Sequence, residues 1–294
     1  MNLFMEALMA YLLLDTNAVY DFSRNVPVAE GIKKLAKERN LKIAIAPMVL
    51  VECITKSYED ENFRVTVVKD ALEKINLLNP VILCDQDVLL ESFAQGNFHL
   101  ENKEKNWEII LRYFSKCIRE NDTFICCIPG NKIVINAKLI YDCRNRWEQR
   151  YKQDWIKMLD MQGIKDADTL SQEDYEEKTS GINPSFLEQN AWDEMFFSTM
   201  QARSGMKIED ERKQTLLSMV KYESQEYQTI WRKVISDGYK PFSNSKKNDY
   251  NDMAVISYAG IPDVYVFSDD LNMSKKSNLR QDGKLFVRSD VLVE

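Results

Sequence analysis

Short, nearly continuous apolar runs recur near both ends of the chain and alternate with longer amphipathic stretches. Runs of this kind are typical of parallel strands that helices cover on both faces. The runs are Tyr11–Leu14, Ile43–Ala46, Val81–Leu83, Val264–Phe267 and the weaker Leu285–Val287. The amphipathic stretches that predict helices are 28–39, 47–58, 63–77, 87–94 and 252–259. This alternation predicts an α/β fold with a three-layer, Rossmann-like parallel sheet of about five strands.

The alternation stops between residues 98 and 244. Aromatic residues in this stretch recur largely at helical spacing, which is more typical of a helical core than of a base-stacking platform. The helices predicted there lie near 101–120, 131–160, 184–203 and 209–236. The polar stretch 163–181 predicts a loop. We therefore expect a large helical insertion in the α/β domain rather than a second α/β domain.

The composition of the 294-residue chain is ordinary for a globular protein, with 45% apolar and 29% charged residues. The formal net charge of −7 gives no overall attraction for a polyanion, so nucleic acid would have to bind at local basic patches. The six cysteines include no CxxC pair, which favours reduced thiols in the cytoplasm over a zinc site or disulfides.

The apolar start of the chain lacks a basic region and carries Glu6, so we expect neither a signal peptide nor a membrane span.

The single histidine, His99, limits the chemistry that the chain can support. A Ser-His-Asp triad, a Cys-His site or an HExxH zinc site would each depend on this one residue. Its neighbours Gly96, Asn97 and Phe98 indicate a turn, so we expect a surface or half-packed histidine. Any catalysis is therefore expected to depend on carboxylates.

Acidic residues recur where the carboxyl ends of the predicted strands meet, the edge of a parallel sheet at which ligands bind. Asp15 directly follows the first strand, and Glu52 lies in the helix after the second. Asp252 begins the helix before the fourth strand, and Asp269 and Asp270 follow that strand. Clustered carboxylates repel one another unless a cation lies between them. Oxygen ligands without histidine or thiolate favour Mg²⁺ or Mn²⁺, as one ion or two.

Each of these acids also has an ordinary structural explanation. Asp252 suits the first turn of a helix, and Asp269-Asp270 suits a turn after a strand. Glu52 could be a surface residue, but its neighbours are nearly all apolar, and a charge buried among them would need a partner or a metal. The recurrence of all these acids at one edge favours a metal site.

Four segments carry the acids in a characteristic order: LLLDTNAVYDF, PMVLVECI, NDYNDMAVISYA and VYVFSDDLNM. They resemble the opening strand, the two acid-bearing helices and the closing strand of PIN domains, a family of metal-dependent nucleases. The resemblance assigns residues 1–97 and 245–294 to a PIN-like nuclease core and 98–244 to the helical insertion. Minimal members of the family, such as the ribonuclease toxins of toxin–antitoxin pairs, lack such an insertion.

The resemblance implies a role for each matching residue. The catalytic metal ligands would be Asp15, Glu52, Asp252 and Asp270, with Asp249 and Asp269 as neighbouring ligands. The residues implied to bind substrate are Asn17, Ser268, Lys246, Lys247 and Lys275. The implied reaction is hydrolysis of a phosphodiester bond, with RNA favoured over DNA, to leave a 5′-phosphate and a 3′-hydroxyl. A protein partner of the antitoxin kind and a homo-oligomer are also compatible with the family.

Two other classes fit the sequence less well, and one alternative stays open. Haloacid-dehalogenase-like phosphatases need DxD after the first strand, where this chain has Asp15-Thr16-Asn17. A nucleotide-binding module would need GxGxxG or a P-loop, and neither occurs. A PIN-like scaffold, whose insertion mediates protein contacts, is not distinguished from an enzyme by the sequence. The basic run Lys138–Lys157 suits a second nucleic-acid face and a solvated amphipathic helix equally.

Overall fold

The structure is a computed structural model that describes residues 9–59, 64–94, 96, 98–103, 105–128, 130–205, 207–243, 247–270, 273 and 278–292. Its strands are β1 (Ala10–Leu14), β2 (Leu41–Ile45), β3 (Val81–Ile82), β4 (Ile118–Glu120), β5 (Thr123–Ile128), β6 (Asn131–Asn136), β7 (Val264–Phe267) and β8 (Leu285–Phe286). Its first helices are α1 (Thr16–Arg24), α2 (Val26–Glu38), α3 (Pro47–Glu59), α4 (Arg64–Asn76), α5 (Gln86–Ala94), α6 (Lys105–Tyr113) and α7 (Ala137–Met161). The remaining helices are α8 (Gln172–Ser180), α9 (Gln189–Ser204), α10 (Asp210–Met219), α11 (Lys221–Asp237), α12 (Lys247–Ala259) and α13 (Arg288–Val291).

A sheet of five parallel strands, in the spatial order β3-β2-β1-β7-β8, forms the centre of the fold. β1 lies in the middle of this sheet, between β2 and β7. Leu12, Leu13 and Leu14 are fully buried, as expected of a strand that helices cover on both faces. The predicted α/β fold with a Rossmann-like parallel sheet is confirmed.

The strand order brings the residues after β1 and after β7 to the same edge of the sheet. The backbone N–H of Asp15 donates to the carbonyl oxygen of Phe267 at 3.1 Å, so the pairing of the two strands continues past the end of β1. Asp15 is therefore fixed beside the segment that follows β7, although the two are far apart in the sequence. This placement follows from parallel pairing alone.

Helix α1 begins at once after β1, and the apolar pattern did not predict it. Asp15 is its N-cap residue, and its side chain accepts a hydrogen bond from the N–H of Ala18. Such a cap satisfies one of the N–H groups that the first turn leaves without a partner. The Asp15-Thr16-Asn17 segment is therefore the junction of a strand and a helix.

The segment between residues 98 and 244 is not entirely helical. An antiparallel sheet in the order β4-β5-β6 lies in it, so the helices predicted over 101–120 and 131–160 are wrong in part. The buried and less buried residues of β5 alternate at a period of two, which is the pattern of a strand with one covered face. The loop predicted over 163–181 is also wrong in part, because α8 lies within it. Helix α9 agrees with the predicted helix near 184–203, and the single helix predicted near 209–236 is divided at Val220 into α10 and α11.

Two clusters of buried apolar side chains stabilise the chain. The first surrounds the five-stranded sheet and also includes Leu111, Phe124 and Tyr222 from the inserted segment. The second lies within residues 151–242, where Trp155, Trp192 and Trp231 are almost completely buried. Helix α7 packs on α3, and α11 packs on α12. The inserted segment therefore contacts both helices that carry predicted site residues, while the domain boundaries themselves stay a prediction.

None of the helices in the described part of the chain has both the length and the apolar character needed to cross a bilayer.

Gly260, between α12 and β7, lies very close to the end of α10. A Cβ atom at this position would be 2.0 Å from the carbonyl oxygen of Met219. We predict that Gly260→Ala lowers the free energy of unfolding by about 1–3 kcal/mol, because backbone has to move to admit the methyl group. Urea denaturation measures this loss. Gly181→Ala is the control, since its Cβ would meet nothing nearer than 3.5 Å. Equal losses in the two variants would contradict the prediction.

Candidate active site

Asp15 is the buried carboxylate at the carboxyl end of the central strand, with 4% of its surface exposed. One side-chain oxygen, Oδ1, accepts from the N–H of Ala18 at 2.6 Å. The other, Oδ2, accepts a short hydrogen bond from the hydroxyl of Ser268, the residue after β7. The Ser268 hydroxyl in turn accepts from the N–H of Asp270 at 3.1 Å. Asp15 therefore joins the start of α1 to the segment after β7.

Glu52, on α3, reaches the same region from the second strand–helix unit. Its Oε2 accepts from the hydroxyl of Thr16 at 2.5 Å. Its Oε1 forms an ion pair with Lys56, one turn further along α3, with 2.9 Å between Nζ and Oε1. Lys56 Nζ also lies 5.4 Å from the ring centroid of Tyr20, a residue of α1. Both oxygens of the Glu52 carboxylate thus have a donor.

The acidic side chains line one cavity of about 100 Å³ at the carboxyl edge of the sheet. The described residues that line it are Asp15, Thr16, Asn17, Glu52, Lys56, Asp252, Val255, Asp270 and Met273. All four residues that the sequence proposed as catalytic ligands are in this set, and they come from four separate segments of the chain. The structure therefore brings these four carboxylates together around a small polar cavity.

The electrostatics of the cavity are those of crowded anions. Burial raises the pKa of Asp15 from 3.8 to about 7, and the nearby charges of Glu52 and Asp252 act in the same direction. The hydrogen bonds from Ser268 and Ala18 oppose this rise, because they stabilise the ionised carboxylate. A raised pKa is the direction expected of a carboxylate whose negative charge the protein does not fully compensate. A cation in the cavity would compensate it.

Other predicted site residues are placed differently. Asp269 forms an ion pair with Arg288 at 2.9 Å and is not among the residues that line the cavity. Ser268 is fully buried and contacts Asp15 rather than the cavity itself. Asn17 lines the cavity and is exposed. Lys246 and Lys275 lie outside the described residues, and so do the side chains of Lys247 and Asp249, which belong to α12.

The donor set suits Mg²⁺ or Mn²⁺ in kind, because every acidic group in the cavity offers hard oxygen ligands. The uncompensated charge of Asp15 points the same way. The side chains are not yet arranged as a metal site, however, since no group of three His, Cys, Asp or Glu among the described residues is positioned to hold an ion. One oxygen of the Glu52 carboxylate is paired with Lys56.

Sequence reasoning missed two polar residues of the cavity, Thr16 and Lys56. Glu52 and Lys56 are four residues apart on α3, the spacing at which helical side chains of opposite charge pair, so the sequence contained a signal for Lys56. Thr16 lies within the segment that gave the PIN-like resemblance, but its contact with Glu52 depends on how α1 and α3 pack. His99 is half-buried and lies outside the cavity lining.

Comparison with known proteins found no match: no family model fits the sequence, and no curated protein or solved structure is similar to the chain at a significant level.

We predict that Asp15→Asn raises the free energy of unfolding at pH 8 in the presence of EDTA by about 2–4 kcal/mol. Asparagine keeps the N-cap hydrogen bond and removes a buried charge. Because the folded pKa of Asp15 is raised to about 7, the folded state binds a proton that the unfolded state has lost above pH 4. The gain should therefore grow between about pH 4 and pH 7 and stay constant above that range.

Thermal or urea denaturation at several pH values measures the effect, and Asp282→Asn is the matched control. Lys221 and Tyr222 lower the pKa of Asp282 through hydrogen bonds, so its ionised form stabilises the folded protein. That contribution is present above the unfolded pKa and is lost as the pH falls. Asp282→Asn should therefore lower stability at pH 8. A loss of stability in Asp15→Asn at pH 8 would show that the Asp15 charge is compensated.

Proposed function

We propose that this protein is a PIN-like nuclease that hydrolyses phosphodiester bonds with Mg²⁺ or Mn²⁺, and that its substrate is RNA. One observation carries the proposal: carboxylates from four segments line one cavity at the carboxyl edge of the sheet, and one of them is buried without full charge compensation. A folded protein keeps such an arrangement at a cost in stability. That cost is explained if the cavity serves to bind a cation.

In this proposal, the ion would be held by Asp15, Glu52, Asp252 and Asp270. It would supply positive charge that stabilises the phosphoryl group and makes water more acidic. Asp15 is oriented for its role by the Ala18 N–H and the Ser268 hydroxyl. Because these donors belong to α1 and to the segment after β7, they hold the carboxylate in place before any ligand arrives.

Other side chains at the cavity could serve the hydrolysis of a phosphodiester bond. A carboxylate of the cluster would accept the proton that the attacking water loses. Asn17 is exposed at the cavity and can donate its side-chain amide to a phosphate oxygen. Substrate binding by Lys246, Lys247 and Lys275 remains part of the proposal through the resemblance alone. So does the preference for RNA.

A second hypothesis is a PIN-like scaffold that has kept the acids and lost the activity. The ion pair of Lys56 with Glu52 favours it, because a tethered ammonium group already neutralises one of the four carboxylates. The nuclease hypothesis requires that Mn²⁺ binds in this cavity, whereas the scaffold hypothesis does not require it. Titration calorimetry with Mn²⁺ on the wild-type protein therefore tests the nuclease hypothesis without an activity assay, because an absence of binding would exclude it.

We predict that Asp15→Asn and Asp252→Asn each lower Mn²⁺-dependent cleavage of mixed single-stranded RNA by at least about a hundredfold. Each substitution removes a charged oxygen from the cavity without a change in size. Asp263→Asn is the matched control: Asp263 precedes β7, at the opposite edge of the sheet, and its φ of 60° suits asparagine. Gel electrophoresis of labelled RNA measures the rates. Intact RNA in the wild-type reaction, together with no Mn²⁺ binding, would leave the scaffold hypothesis standing.

The neighbouring acids after β7 give a sharper test of the site. We predict that Asp270→Asn lowers cleavage as strongly as Asp252→Asn, whereas Asp269→Asn retains activity within about threefold. The reason is that Asp270 lines the cavity, while Asp269 is paired with Arg288. The rates of both variants at saturating Mn²⁺ decide between the two residues. The reverse ranking would assign the fourth ligand to Asp269.

A further inference from the structure

Lys56 is the one basic side chain among the described residues that line the acidic cavity. Its side chain is 27% exposed, so it reaches solvent from a largely covered position. Its ammonium group is held by the Glu52 carboxylate and lies over the Tyr20 ring. A lysine in such a position neutralises part of the cavity while no ligand is there. Among the described lining residues, it is also the positive charge that an entering anion would meet.

Two features distinguish Lys56 from an ordinary surface ion pair. Its partner is one of the four carboxylates of the cavity, and the other oxygen of that partner is held by Thr16 at 2.5 Å. The ammonium group therefore holds the Glu52 oxygen that Thr16 does not hold. If a hard dication were bound by Glu52, the ammonium group of Lys56 would lose its anionic partner while still beside the cavity.

We propose that Lys56 binds the phosphodiester group of the substrate, exchanging the Glu52 carboxylate for a phosphate oxygen when nucleic acid and metal enter together. This inference rests on the proposed nuclease function and adds a substrate-contacting residue to it. Lysine suits the exchange because its ammonium group is a compact charge on a flexible stem, and phosphate is a common partner for it. The face of the Tyr20 ring, 5.4 Å from Nζ, attracts the ammonium group and keeps it near the cavity.

The same geometry makes Lys56 a competitor of the metal for Glu52. Removing its charge frees one oxygen of the carboxylate before the ion arrives. Mn²⁺ should therefore bind more tightly to Lys56→Gln than to the wild type in the absence of nucleic acid. RNA should bind less tightly to the same variant. If Lys56 only stabilised α3, its replacement would not raise the affinity for Mn²⁺ while lowering the affinity for RNA.

The experiment measures the binding of a fluorescein-labelled single-stranded RNA by anisotropy, with Ca²⁺ in place of Mg²⁺ and with the RNA checked on a gel. We expect Lys56→Gln to bind about tenfold more weakly, as for the loss of one charge-assisted contact. The slope of log K against log salt concentration should fall by about 0.7, the value for one phosphate contact to a single strand. Lys56→Arg should keep most of the affinity and the full slope. Titration calorimetry with Mn²⁺ alone supplies the second readout.

Lys33→Gln is the matched control. Lys33 also pairs with a glutamate of its own helix, at 2.8 Å from Glu30, and its Nζ lies 5.7 Å from the ring centroid of Phe22. It is on α2 and lines a different cavity, beside the amino-terminal part of β2. This control should leave RNA affinity, salt slope and Mn²⁺ affinity unchanged.

Three results would overturn the inference. In the first, Lys56→Gln and Lys33→Gln have the same RNA affinity and salt slope while the wild type binds Mn²⁺ and cleaves RNA, so that only the role of Lys56 fails. In the second, Lys56→Gln and Lys56→Arg both lose RNA affinity together with a fall in melting temperature and an unchanged salt slope, which indicates a structural role. In the third, the wild type binds neither Mn²⁺ nor RNA, and the proposed function fails as well.

Discussion

The arrangement at the carboxyl edge of the five-stranded sheet depends on one buried carboxylate, that of Asp15 at the end of the central strand. Asp15 caps α1 through Ala18 and accepts from Ser268 beyond β7, so one side chain connects a strand, a helix and a neighbouring strand. The hydrogen bonds offset part of the cost of burying the charge. They do not offset all of it, because the penalty of burial is larger and Glu52 and Asp252 add repulsion. The protein keeps an acidic residue where an asparagine would cap the helix equally well.

Parallel pairing explains why so much of this edge was predictable. Runs such as Val264–Phe267 are apolar at every position, which identifies strands covered on both faces without reference to their partners. Once the strands are parallel, all of their carboxyl ends lie at one edge, and the acids that follow them must lie near each other. The structure brings Asp15 and Asp270 to one cavity in this way. Glu52 and Asp252 reach it because their helices, α3 and α12, lie beside the same edge.

Most of the features that escaped prediction depend on contacts that a pattern does not contain. The β4-β5-β6 sheet is a partial exception: β6, NKIVIN, mixes polar and apolar residues, but β5, TFICCI, is a nearly continuous apolar run of the kind that predicts a strand. Helix α8, with the sequence QEDYEEKTS, has almost no apolar face and is held mainly by the burial of Tyr175. The resemblance favoured Asp270 over Asp269 through its spacing from Ser268, but the ion pair of Asp269 with Arg288 forms only in the folded chain and could not be predicted.

The long segment between the second and third acids is part of the architecture of the cavity rather than an appendage to it. Helix α7 packs on α3, which carries Glu52 and Lys56, and α11 packs on α12, which carries Asp252. The side chain of Tyr222 on α11 is buried in the same apolar cluster as the five-stranded sheet. Close-packed protein interiors transmit small displacements from one element to the next. A shift of α7 or α11 would therefore move one wall of the cavity relative to Asp15, which is fixed to β1. The distance between the carboxylates is consequently set by the packing of the inserted helices as well as by the sheet.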